Sequence, residues 1–161
     1  MSVKARVEDA EHLWAAGRIE GAWVQALIAA AATSRKRYPK SEKKRDGDAF
    51  KSFICDITHT IVTGEPNGPS PQYLRFHTAT RANPRKLEDV LYDELRCNLV
   101  HEAELKEVGF SDSVLKDGQL EATLNVPTEG RAEIPDFWVL HLILAIKTAP
   151  ENHDLFSSTD E

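Results

Sequence analysis

Hydrophobic residues recur at three- and four-residue steps along most of the chain, the spacing that lines one side of an α-helix. Residues 3–16 set Val7, Leu13 and Trp14 among charges, and Gly17 marks the stop of a first helix. Residues 18–38 are alanine-rich and carry Ile19, Trp23, Leu27, Ala30 and Ala31 on one stripe. Pro39 ends this second helix, and Arg35, Lys36 and Arg37 suit the negative end of its dipole. A third helix is predicted over 46–62, with Asp46 or Asp48 as cap and Phe50, Phe53, Ile54, Ile57 and Ile61 as its apolar face.

Residues 64–71 hold three prolines and two glycines and read as a loop; residues 72–80 fit neither period. Asn83 followed by Pro84 predicts the start of a fourth helix, running to about residue 105 with Leu87, Leu91, Leu95 and Leu99 every four residues and Val90 beside them. The period then changes. Residues 110–115 and 119–126 flank Lys116-Asp117-Gly118, a strong hairpin signal. Residues 135–149 form a strongly apolar last helix, stopped by Pro150. The expectation is a mainly α fold, a helical bundle of about five helices with a small β-hairpin before the last one. It occupies residues 1–156 as a single domain, followed by a polar tail at 157–161.

The 161 residues are enough for one core. Two cysteines, Cys55 and Cys97, make no disulfide framework. The charged N-terminus has no apolar signal region, and the longest apolar run, residues 26–32, is too short to cross a bilayer. A cytoplasmic location without a membrane partner follows as an expectation. Net charge is −6, unevenly distributed. Arg35, Lys36, Arg37, Lys40, Lys43, Lys44 and Arg45 make the stretch 35–45 strongly basic, whereas residues 87–133 hold twelve acids and four bases. Overall acidity argues against broad coating of nucleic acid, but the basic run suits a focused contact with a phosphate backbone. Its structural alternative is a solvated helix end and loop.

The segment Tyr92-Asp93-Glu94-Leu95-Arg96-Cys97-Asn98-Leu99-Val100-His101-Glu102 concentrates the chemistry. An arginine and a histidine separated by four residues lie late in a predicted bundle helix. Here, and in the order of its helices from about residue 10 to 150, the chain resembles the HEPN family. That resemblance implies metal-independent RNA cleavage, with no cofactor. The ribose 2′-OH attacks the adjacent phosphorus and the 5′-oxygen leaves. His101 suits proton transfer near neutrality, and Arg96 can grip phosphate oxygens bidentately. Many active members place a polar residue directly after the arginine. Cys97 stands there in this chain, and Asn98, next along, is the nearest polar group to take that role.

Five residues of α-helix separate Arg96 and His101 by about 140° around the axis. Either the helix loosens near His101, or two copies of it meet and share a cleft. The resemblance implies such dimers, and a homodimer joined along this helix is expected. The main alternative is a non-catalytic nucleotide- or RNA-binding module, or an interaction module of a defence or toxin–antitoxin system with an antitoxin or defence partner.

Two plainer readings stand beside these. Arg96 lies three residues after Asp93, the spacing of a helical ion pair, and His101 suits a helix end. Cys55 with His59, and Cys97 with His101, each share a helix face, and together offer a tetrahedral set for structural zinc. His12, His77, His141 and His153 lack evident partners. His141, in the apolar last helix, reads as a satisfied buried histidine. Trp14, Trp23, Phe137 and Trp138 fall on helical stripes and read as core. No P-loop, dinucleotide fingerprint, zinc-protease motif or GxSxG elbow is present.

Overall fold

A computed structural model describes residues 2–69, 74–78, 81–102, 105, 108–121 and 132–157, without the side chains of 77, 78, 81, 82, 101 and 102. Helix α1 (Val3–Ala15) is capped by Ser2, whose hydroxyl accepts from the Ala5 N–H at 3.2 Å. Helix α2 (Ile19–Arg37) follows, then a 3₁₀ turn (Lys40–Glu42) and helix α3 (Asp46–Thr63). Strands β1 (Phe76–Thr78) and β2 (Arg81–Arg85) pair antiparallel. One α-helical turn, α4 (Leu87–Asp89), runs directly into a π-helix (Val90–Glu102). Strand β3 (Val108–Ser111), a hairpin of β4 (Val114–Lys116) and β5 (Gln119–Glu121), and strand β6 (Ala132–Pro135) come next. Helix α5 (Trp138–Thr148), a 3₁₀ turn (Pro150–Asn152) and the short α6 (His153–Phe156) close the chain. The fold is mainly α. No helix among the described residues is long and apolar enough to cross a membrane.

Alanine is frequent in α2 because that helix lies in the middle. It packs on α1, α3 and α5, and its buried Ala22, Ala26, Ala29 and Ala30 let neighbouring backbones approach. Trp23 is fully buried in its midst. The indole stacks on Phe110 of β3 with centroids 5.4 Å apart, and its Nε1 donates to the Asp136 carbonyl at 3.2 Å. One side chain thus ties the helical layer to the strands and to the start of α5. The C-terminal end is anchored by Asn152, also fully buried. Its amide donates to Thr33 Oγ1 at 2.8 Å and to the Ile146 carbonyl at 3.0 Å, and it accepts from Lys36 Nζ at 2.9 Å.

The first three helices lie where the apolar periodicity predicts them. Neither Asp46 nor Asp48 caps α3; Arg45 holds the cap position and both acids sit in the first turn. The fourth helix starts later than expected. Asn83 and Pro84 belong to β2, because a residue before proline is driven to extended backbone and an edge strand tolerates the missing N–H. The hairpin signal is correct at Asp117-Gly118, whose φ values of 50° and 77° suit a tight two-residue turn. Its arms are shorter than expected. Phe110 and Ser111 belong instead to β3, which pairs in parallel with β6, a pairing for which the absence of strand–helix alternation gave no cue. Pro135 ends β6 rather than opening the last helix. Residues 122–126 and the tail at 158–161 lie outside the described residues.

His141 is half-buried and satisfied: Nδ1 lies 2.8 Å from the Ile61 carbonyl, and Phe137 meets the ring edge-on at 5.2 Å. Its other face closes on Gly64, which terminates α3 at φ 74°. A Cβ there would stand 2.7 Å from His141 Nε2. Gly64→Ala is therefore expected to lose about 1–2 kcal/mol of stability from the left-handed backbone, with the contact to His141 adding to it. Denaturant unfolding of the two proteins checks this.

Candidate functional site

The π-helix is built on a wide turn. Its buried positions are Val90, Leu91, Glu94, Leu95 and Leu99, stepping by four and five residues, whereas an α-helix turns every 3.6. Each backbone N–H in a π-helix bonds the carbonyl five residues earlier, and such segments frequently mark functional sites. Arg96 and His101 are five residues apart, and the wider turn makes the angular offset between them smaller than in a regular α-helix. The side chain of His101 lies outside the described residues.

Arg96 is half-buried and rests on two rings. Its guanidinium carbon lies 5.5 Å from the Phe50 centroid and 5.4 Å from that of Tyr92, and the two rings are 5.7 Å apart. Cation–π attraction to both rings holds the charge there without using its N–H donors. Arg96 makes no hydrogen bond and no ion pair among the described residues. Asp93 in particular does not hold it. That carboxylate is taken by Arg85 Nη2 and approached by Lys51 Nζ at 3.7 Å. Arg85 also donates through Nη1 to Glu94 at 2.5 Å, and Lys51 pairs with Asp89 at 2.9 Å. Glu94, only 4% exposed, accepts on its other oxygen from Asn98 Nδ2 at 3.3 Å. Asn98 is thereby oriented from within the helix, one position past Cys97. Burial pushes the half-buried Cys97 thiol above its ordinary range, which disfavours the thiolate.

The basic run divides in two. Arg35 pairs with Asp46 and donates to the Tyr38 and Lys44 carbonyls at 3.1 and 2.8 Å. Arg37 grips Glu151 with two nitrogens at 2.6 and 3.1 Å and Asp56 at 3.2 Å. Its hydrogen bonds hold the Glu151 carboxyl below the usual carboxylate range. Lys36 donates to Asn152, and Lys44 reaches Ser52 at 2.9 Å and lies over the Tyr38 ring at 4.2 Å. Lys40, Lys43 and Arg45 face solvent. Arg45 pairs only with its helix neighbour Asp48, while Lys40 and Lys43 make no ion pair among the described residues. The run is thus half internal staple and half exposed cations, a division that sequence does not display.

The cysteine–histidine set is not assembled where it is visible. Cys55 is exposed, and His59 packs under the loop at Gly68. No group of three or more His, Cys, Asp or Glu among the described residues could hold a metal. His12 and His153 are exposed on α1 and α6, and the side chain of His77 lies outside the described residues. Missed by sequence reasoning were Arg85, Glu94, Phe50 and Tyr92 as the groups that hold the motif. A buried carboxylate four residues before Asn98 was the one available signal.

A mainly helical fold with a π-helix whose arginine lies over two rings and makes no ion pair among the described residues is the class these observations define. The family model described as Rv1289 matches residues 2–160, and the chain belongs to the Rv1289 family. No curated protein matches the chain, and no solved structure does.

Arg85 serves two carboxylates from a side chain only 10% exposed. Arg85→Ala is expected to cost about 3 kcal/mol, as for breaking a buried ion pair, and to lower amide protection along residues 90–102 before the rest of the fold, read by hydrogen exchange. Tyr38 allows a separate test. Its hydroxyl donates to Asp56 at 2.6 Å, and burial, with that carboxylate's help, pushes its phenol up to about 12 from 10.0. The protonated form is the one the fold favours, so the contribution is complete below pH 10 and is lost as pH rises from 10 towards 12. Over that window wild type should lose more stability than Tyr38→Phe in parallel urea titrations.

Proposed function

We propose that this protein is a metal-independent endoribonuclease of HEPN-like design, with Arg96 and His101 on one face of the π-helix. The observation that carries the reading is the donor fork of Arg96, which makes no hydrogen bond or ion pair among the described residues and feels Asp46 only at longer range. A half-buried guanidinium without a close ion pair is uncommon, because buried charges are normally paired. Held over Phe50 and Tyr92, it can receive the two oxygens of a phosphodiester. His101, one π-turn along the backbone, takes the proton from the ribose 2′-OH or returns one to the departing 5′-oxygen. Asn98, fixed through Glu94, supplies a neutral polar contact beside them. The exposed Lys40, Lys43 and Arg45 steer the RNA backbone, while Arg35, Lys36, Arg37 and Lys44 support that surface from inside. A homodimer along the π-helix, in the cytoplasm, brings two such sites together so that one histidine acts as base and the other as acid.

The same unpaired arginine also favours a second reading, an RNA- or nucleotide-binding module without cleavage, including the silent partner of a defence or toxin–antitoxin pair. A single assay separates the two. Labelled single-stranded RNA is incubated with the protein in EDTA, and both cutting and retention are measured. The ribonuclease should release 2′,3′-cyclic phosphate ends. His101→Ala should lower the rate by about 10²–10⁴-fold with RNA affinity kept, and Arg96→Ala should lower both. Retention of RNA by Arg96 with no cleavage under any condition selects the binding module. Neither cutting nor Arg96-dependent retention rejects both.

A further inference from the structure

A cavity of about 300 Å³ opens between the C-terminal half of α3, the end of α5 and the loop after Gly64, at the lower end of the size range of ligand pockets. It is remote from Arg96, which acts on Asp46 at the start of α3; Asp56 lies ten residues further along, about 15 Å of helix rise. Three polar side chains of α3 line it at helical spacing, Asp56, His59 and Thr60, and so share one face. Ile57, Ala145 and Ala149 supply an apolar floor.

Thr60 is only 7% exposed and lines the cavity. The neighbouring Thr58 and Thr63 donate to carbonyls one turn back, whereas the Thr60 hydroxyl makes no hydrogen bond among the described residues and is not one of the fully enclosed polar atoms. Asp56 is fixed through one oxygen, Oδ2, by Arg37 at 3.2 Å and by the Tyr38 hydroxyl at 2.6 Å. Its other oxygen carries no hydrogen bond among the described residues. The lining holds one cation, Arg37, and one anion, Asp56. Arg37 also pairs with Glu151 just outside the lining, so the surroundings carry surplus negative charge.

We propose that this cavity is a binding site for a small organic cation, a primary alkylammonium group held between Asp56 Oδ1 and Thr60 Oγ1 with its hydrocarbon on Ile57, Ala145 and Ala149. An ammonium brings three donors, which match the two idle acceptors and the His59 ring nitrogen. An anion would meet the carboxylate of Asp56 here, with its partner Glu151 beside Arg37. The site stands whether or not the protein cleaves RNA.

The test titrates ¹⁵N-labelled full-length protein with n-butylammonium, butan-1-ol and butyrate, following backbone amide shifts. Butylammonium should give saturable shifts confined to residues 56–60, 66–68 and 145–150. Butan-1-ol should bind about tenfold more weakly, as expected for loss of a charge-assisted hydrogen bond, and butyrate not at all. Asp56→Asn should weaken butylammonium about tenfold. Thr60→Val, nearly isosteric and at a residue that takes no part in the Arg37 ion pairs, should weaken it severalfold, and decides the matter if Asp56→Asn does not fold. Equal binding of the alcohol or the carboxylate, an absence of saturable shifts, or a Thr60→Val protein that titrates like wild type overturns the proposal.

Discussion

The fork of Arg85 between Asp93 and Glu94 is the contact on which the arrangement of the candidate site depends. It joins β2 to the first half of the π-helix. It also removes Asp93 from the reach of Arg96, three residues on. On an ordinary helix surface that pair would form readily. Here the acid faces Arg85 and Lys51, and Arg96 is left to the rings of Phe50 and Tyr92. A buried ion pair of this kind adds modestly to stability, because desolvation offsets much of its attraction. Its larger effect is on register: it determines which charged group of the helix stays unpaired.

Charge is partitioned in the same manner elsewhere. The basic run after α2 reads in sequence as one patch, but the structure part-buries Arg35, Arg37 and Lys44 and ties the exposed Lys36 to Asn152. Arg35 closes the α2–α3 connection onto Asp46 and two carbonyls. Arg37 and Lys36 hold the C-terminal turns through Glu151 and Asn152. Such part-buried, multiply bonded arginines do more for the fold than exposed pairs, which contribute about 0–1 kcal/mol each. What remains for a partner is a short exposed arc of Lys40, Lys43 and Arg45, small enough to suit an acidic protein that touches phosphate at one place.

Sequence showed the helices well and their joints poorly. The stripes of α2 and α3 are long and strongly periodic, so burial of Trp23, Leu27, Phe50 and Ile54 follows directly from spacing. The π-helix was hidden because leucines every four residues fit a turn of 3.6 almost as well as a wider one. Only the alternation of four- and five-residue steps, from Val90 to Leu95 and from Leu95 to Leu99, distinguishes them, and it requires knowing which positions are buried. The parallel pair of β3 with β6 was hidden for another reason. Its strands are four residues each and more than twenty residues apart, beyond the reach of any local pattern. Of the candidate site, Arg96 and Asn98 were legible as a motif, but the groups that orient them come from β2 and α3.

The wide turn also explains how a short motif can work on a single helix. In an α-helix an arginine and a residue five further on diverge by about 140°, and only a second copy or a distortion could bring them to one phosphate. The π-turn narrows that divergence. The helix is held by apolar contacts through Val90, Leu91, Leu95 and Leu99 and by the ion pairs of Arg85 with Asp93 and Glu94. A helix so braced can keep an open turn without unwinding. The ion pairs lie in its first half, and Leu99 anchors its second. The angle between Arg96 and the residue five further on is therefore set by backbone geometry first and by the flanking side chains second.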